Sequence, residues 1–337
     1  MLEIIFLSII FFLIGKICQN KNILLDNLNF SKHKKYISTS NKLPTTGGLF
    51  LLITFLIFNI DNLDIVRIFI LIGIFLVGFF SDIFRNFSPI LRILLQIFLC
   101  IIYISFFGIL VQDTRIDLIN EYFSNNQILP IVFTTFCLLV LVNGSNFIDG
   151  LNISVIGYYL LIFISIFYLY HQFEANSDLN FINNFIKILL ALLIVNFFNK
   201  TQLGDGGAYL LSFITGFFII DFINLNKIVS PYYAISLLWY PCLENLFSII
   251  RKLISKQKVS NPDNHHLHHL IFLLFKKKQN KFANNISGTV VVLINSIIIF
   301  VSTYFYYSTK IQILIISLAI LIYITSYFKL KNYLKVK

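Results

Sequence analysis

Three aspartates, Asp82, Asp149 and Asp205, each stand where an apolar run gives way to a short polar segment. A carboxylate at such a junction meets water while the adjoining helix fixes its backbone. That suits a hard divalent cation. Mg²⁺, or Mn²⁺ in its place, takes a few carboxylate oxygens and completes its shell with water and substrate phosphates. Five polar segments surround these acids: Asn41-Lys42-Leu43-Pro44-Thr45-Thr46-Gly47-Gly48, Gly78 to Asp82 continuing to Ser88-Pro89 and Gln96, Asn143 to Asn152, Asn199 to Gly207, and Pro262 to Leu270. Gly204, Gly206 and Gly207 directly precede an apolar run, an arrangement that opens backbone amides at a helix N-terminus to an anion. Lys42, Lys200 and the cluster His265, His266, His268 and His269 add positive or donating groups. Together these are the parts of a diphosphate site. Neither a GxxxxGK[ST] nor a GxGxxG run occurs, so the nucleotide cradles those patterns build are not expected.

Each part has a purely structural alternative. Asp82 is also what a solvated helix end looks like, Asp149 an N-cap for the following span, Gly-Asp-Gly-Gly a turn, and Lys42 a topology determinant. Zinc is the competing use of the histidines, but no cysteine or clustered acid in that segment completes a familiar spacing. His33 and His171 are lone residues in polar connections. The four cysteines, Cys18, Cys100, Cys137 and Cys242, form no CxxC pair and read as packing residues.

The elements that must position these groups are membrane helices. The chain has 337 residues, of which 58% are hydrophobic and 12% charged, with a mean hydropathy of +0.83. That balance excludes a soluble globular domain and predicts an all-α polytopic membrane bundle, one domain over residues 1–337. About eleven transmembrane helices are expected. They run near Leu2–Ile14, Gly47–Ile60, Ile65–Phe80, Ile90–Val111, Leu129–Val142, Asn152–Tyr170, Phe181–Phe197, Gly207–Ile223, Ser230–Ile250, Ile286–Tyr307 and Ile311–Phe328. The first lacks a basic leader and a small-residue cleavage site, and Glu3 precedes it, so it reads as a retained span. The functional loops fall at about 31–48, 81–90, 143–152, 199–207 and 251–285.

Charge orients the bundle. With the N-terminus outside and the C-terminus inside, every Lys and Arg except Arg67, Arg115, Lys187, Lys227 and Lys310 lies on the cytoplasmic side, as the positive-inside rule asks. All five polar segments then share that face. The net charge of +11 sits beside spans, which points to anionic lipid headgroups and not to nucleic acid.

The ordered set K-x-P-T-x-G-G, G-x-x-S-D with S-P and Gln, N-x-x-N-x-x-D-G, G-D-x-G and H-L-H-H-L resembles the polyprenyl-phosphate N-acetylhexosamine-1-phosphate transferases. These are the WecA-type enzymes, related to the MraY-type translocases. The resemblance runs from Lys42 to Leu270. It implies transfer of a sugar-1-phosphate from a UDP-sugar to undecaprenyl phosphate with Mg²⁺, releasing UMP, as the first step of a surface glycan such as O-antigen. By the same resemblance Asp205 is a metal ligand, with Asp149 extended to metal or diphosphate contact and Asp82 counted with them as catalytic. Asn143 and Asn146 help bind the nucleotide and order their segment. Lys42 holds a phosphate, with Lys200 counted among the substrate-binding groups, and His266, His268 and His269 contact the donor. Glu244 fits an acidic position near the end of the ninth span. The short histidine motif favours a UDP-N-acetylhexosamine or a deoxy derivative. The bilayer of a bacterial inner membrane is the implied setting, and a homodimer is among the assemblies open to it.

Three departures from the family pattern stand out. Ser81 replaces the first of two adjacent acids, Gln202 stands where an aromatic is common, and Ala208 replaces a common Ser. A phosphate monoester with a second pKa of about 6 is already largely dianionic at neutral pH, so the missing acid need not have removed a proton. Two other classes remain in view. A flippase of lipid-linked sugars would show mid-span charges and matched Gly/Pro breaks in two halves, which are not evident. An inactive scaffolding relative is suggested by Ser81 and opposed by the retained aspartates and histidines.

Overall fold

The computed structural model describes residues 2–25, 43–84, 87–173, 178–258, 265–278 and 282–335. Each apolar run forms a helix at its expected place. In chain order they are α1 (Leu2–Asn20), α2 (Gly47–Asn59), α3 (Ile65–Ile83), α4 (Pro89–Phe107), α5 (Asp117–Asn125), α6 (Ile128–Ile148) and α7 (Ser154–Gln172). There follow α8 (Leu179–Phe197), α9 (Gly204–Leu225), α10 (Pro231–Ile254), α11 (Leu267–Lys277), α12 (Ala283–Tyr304) and α13 (Thr309–Leu334).

Ten of these are long and apolar enough to cross a membrane, and the chain is a multi-pass bundle. The expected eleventh span, α2, has only 13 residues, or about 20 Å of helix, so it is short against a hydrocarbon core of about 30 Å. Two further short helices, α5 and α11, occupy segments expected to be loops. The expected polar loops are largely helix ends. Asn143 to Ile148 complete α6, Ser81 and Asp82 lie in the last turn of α3, and Asp205 lies in the first turn of α9. Asp149 follows α6 and α7 begins only at Ser154, so Asp149 does not cap the next span.

Local sequence explains the sharper boundaries. Pro89 at the first position of α4, after Ser88, has no N–H to leave unpaired. Gly108 ends that helix in the left-handed region at φ 65°. Ser230 caps α10 by accepting from the Tyr232 N–H. Pro241 within α10 cannot donate to Leu237, and the Tyr158 hydroxyl takes up that carbonyl at 2.6 Å.

Helices α7 and α9 are the most enclosed, and α9 packs on α2, α3 and α6. In lipid no hydrophobic force holds helices together, so close contact over small residues does that work. Gly206 packs on the backbone of Phe75 and Phe79, and Gly207 on Gly48. These two glycines are buried in helix contact. Large apolar side chains such as Phe69, Phe98, Ile297 and Leu321 face outward, as a lipid-facing surface requires.

Candidate active site

Helix ends fall into two groups. At one end of the bundle Lys187 meets Glu3, Tyr170 meets Asp178, and Arg115 meets Asp113. The described parts of all five polar segments gather at the other.

There the first and fourth segments are laced together. Gln202 N–H donates to the Pro44 carbonyl at 2.9 Å, Gly47 N–H to the Gln202 carbonyl at 2.9 Å and Gly48 N–H to the Leu203 carbonyl at 3.0 Å. Thr46 and Thr201 share a buried hydroxyl bond of 2.8 Å. The second segment closes on the same place. Gly204 has φ +73°, and a Cβ there would lie 2.7 Å from Asp82 Oδ2, so only glycine lets that carboxylate reach the start of α9. A helix N-terminus favours a negative group. Ser81 Oγ donates to Asp205 Oδ2 at 2.9 Å and accepts from Arg92 Nη1 at 2.7 Å. Arg92 itself stands 3.6 Å from Asp205 Oδ2. Ser81 is therefore a bridge between an arginine and an aspartate. Tyr209, one turn beyond Asp205 and buried, has Asp205, Asp82, Arg92 and Gln96 as polar neighbours.

The third and fifth segments form an adjoining cluster. His268 and His269 pack over Gly150, where a Cβ would lie 3.2 Å from His268 Nε2 and 2.6 Å from His269 Nε2. A side chain at position 150 would drive the imidazoles away from the Asp149 segment. His266 packs on Phe147 at 5.0 Å between ring centres, and its Nδ1 lies 2.9 Å from Glu244 Oε2. Burial pushes the His268 imidazole below its usual range, and the nearby Glu244 carboxylate opposes that shift.

Two links join the clusters. Asn143 Nδ2 donates to Gln96 Oε1 at 2.9 Å, and Gln96 is one turn from Arg92 on α4. Asn152 Nδ2 donates to Asn199 Oδ1 at 2.6 Å and to Asn285 Oδ1 at 2.8 Å. Its N–H donates to Asn284 Oδ1, while Ile153, at φ +73°, donates its N–H to Asn196 Oδ1 at 2.6 Å. A β-branched residue rarely adopts that conformation. The amide network holds the turn that carries Asp149 to the histidines.

The structure thus brings Asp82 and Asp205 together, and separately His268 and His269 with the segment of Asp149. Asn146 lies half-buried one turn before Asp149, whose N–H its carbonyl accepts at 3.3 Å. Lys200 is turned the other way: its Nζ lies 5.4 Å above the Phe12 ring of α1, a cation–π contact. Lys42 lies outside the described residues. Among the described residues no three His, Cys, Asp or Glu side chains gather into a metal cage. An ion of the Mg²⁺ kind is held by one or two carboxylates and otherwise by water and substrate phosphate, and Asp82 and Asp205 are the carboxylates that could supply them.

Residues 64–223 match the model of glycosyl transferase family 4. Over that stretch, a little under half of the chain, the protein is similar to that family. The matched stretch carries Asp82, Arg92, Asn143, Asp149 and Asp205, and the histidine motif lies beyond it. A probable undecaprenyl-phosphate N-acetylglucosaminyl 1-phosphate transferase of Bacillus subtilis (strain 168) is 26% identical over 149 residues. The aligned part is 40% of this chain and 38% of that protein, so the chain spans well under half of the relative's length.

Sequence reasoning passed over Arg92 as a site residue and gave Glu244 no partner. Arg92 had a signal, since it and Gln96 are four apart and share one face of α4. The amide network had none, because its members come from four separate segments.

Proposed function

We propose that this chain transfers a sugar-1-phosphate, most simply that of an N-acetylhexosamine, from a UDP-sugar to undecaprenyl phosphate. The products are undecaprenyl-diphosphate-sugar and UMP, formed at the cytoplasmic face of a bacterial inner membrane. The observation that carries this reading is the Asp82, Ser81, Arg92 and Asp205 assembly at the meeting of α3, α4 and α9, inside the family-matched stretch. The relative's name supplies the chemical class.

In this mechanism an acceptor phosphate oxygen attacks the donor's β-phosphorus. A new P–O bond forms, the bond from the β-phosphorus to the bridging oxygen breaks, and UMP leaves with the electron pair. Asp205 and Asp82 would hold a Mg²⁺ ion, which when bound would neutralise charge on the transferred phosphate; Asp149, in the adjoining cluster, keeps its expected role toward the donor diphosphate. No base is required, because the acceptor phosphate is already ionised. Arg92 offers its guanidinium to a phosphate, and Ser81 keeps it from being fully neutralised by Asp205. His266, His268 and His269 face the donor. Lys200 is not assigned a substrate role, given its position on Phe12. Lys42 keeps its expected role on a phosphate.

The test is purified protein in detergent with Mg²⁺, undecaprenyl phosphate and a panel of UDP-sugars, following UMP. Release from at least one donor, dependent on the lipid, supports the reading. No release from any donor by folded protein overturns it.

A further inference from the structure

Glu244 lies in the spanning helix α10 and is 1% exposed, although a carboxylate at that depth is costly unless donors surround it. Its donors are specific. Oε2 faces His266 Nδ1 at 2.9 Å, while Oε1 accepts the Leu267 N–H at 3.1 Å and lies 3.6 Å from His268 Nδ1. One carboxylate therefore holds the start of α11 and two of its imidazoles. Tyr240 and Tyr323 close the other side of the same pocket.

A carboxylate accepts and does not donate, so it commits His266 to carrying its proton on Nδ1. The other nitrogen, Nε2, is then turned from Glu244. Phe147 on one face, with His268 stacked nearby at 5.5 Å and 17°, fixes the ring beside the segment that ends in Asp149 and Gly150. We infer that Glu244 is a positioning residue, which sets the tautomer and ring direction of His266 so that Nε2 meets the phosphates of the sugar-nucleotide donor. The inference rests on the transferase reading for the identity of that ligand, but the tautomer does not.

The closing experiment has two arms. In the first, ¹⁵N-histidine NMR of the full chain in detergent reads the protonated nitrogen, with His266→Asn identifying the signal. The wild type shows Nδ1–H at His266. Glu244→Gln, whose amide both donates and accepts, shows a mixed or reversed tautomer, and Glu244→Asp keeps Nδ1–H. In the second, kinetics separate substrates. Glu244→Gln raises the donor KM on the order of tenfold with the acceptor KM unchanged, the loss expected for one charge-assisted contact, and Glu244→Asp recovers part of it. An Nε2–H tautomer in the wild type, or an unchanged tautomer and donor KM in Glu244→Gln, overturns the inference. A wild type with the Nδ1–H signature but no UMP release overturns the transferase reading alone.

Discussion

Gly78→Ala should separate the two helices that build the site. A Cβ at position 78 would lie 2.5 Å from the Asp205 carbonyl carbon and oxygen and from Gly206 Cα. Carbon contacts are comfortable only from about 3.5 Å, so α3 and α9 must part by about 1 Å. The obstruction is backbone and cannot rotate aside. Ser81 stands one turn further along the same helix, and its 2.9 Å bond to Asp205 would stretch to about 3.9 Å, beyond hydrogen-bond range. Overpacking of this kind costs about 1–3 kcal/mol. A misplacement of about 1 Å at reacting groups lowers turnover by about 10²-fold. Gly73→Ala is the control on the same helix, because its Cβ would meet only the movable end of Leu99, at 3.1 Å. Thermal unfolding and UMP release are measured on both. Gly78→Ala is expected to melt lower and lose most activity while Gly73→Ala stays near wild type. Wild-type stability and turnover in Gly78→Ala would refute the close α3–α9 contact and its role.

Arg92→Gln should raise the KM of the substrate whose phosphate it holds by about 10–100-fold, the cost of a charge-assisted phosphate contact, and an unchanged KM for both substrates would contradict that role. Ser81→Asp should act in the same direction by neutralising Arg92; a gain of activity, above all at lower pH, would mean that an acidic group is needed at position 81. Asp205→Asn preserves shape but removes the charge shared by Ser81 and Arg92, and turnover should fall on the order of 10²-fold or more with the protein still folded. Burial lowers the His268 pKa, so the unfolded chain, with an imidazole near pKa 6.5, binds the proton first as pH falls. The stability that neutral His268 contributes is present above about pH 6.5 and is lost as pH drops toward its folded value. His268→Asn should flatten the fall in melting temperature over that window; an identical slope would contradict it.

Hydropathy made the fold legible, since each expected span is a helix and boundaries differ by a few residues. The shortfalls have physical causes. Asn143, Ser145 and Asn146 look like loop residues, yet Ser145 and Asn143 satisfy themselves by donating to carbonyls four residues back, which lets polar side chains remain in α6. Lys200 stands among polar residues in the sequence, and the reach of its long flexible stem to Phe12 on α1 is visible only in the fold. The roles of Ser81 and Arg92 needed the crossing of α3, α4 and α9, which no local pattern records. Gly150 is legible only as part of a motif; its closeness to two imidazoles comes from the start of α11 meeting the end of α6.

The most direct measurement is to follow the β-phosphorus of a UDP-N-acetylhexosamine labelled there with ³²P, in the presence of Mg²⁺ and undecaprenyl phosphate. The expected result is label in the extracted lipid as a diphosphate-linked sugar, with unlabelled UMP in the aqueous phase in equal amount. Label remaining in water as UDP, sugar phosphate or inorganic phosphate, with no lipid product from any donor tested, contradicts sugar-phosphate transfer by this chain.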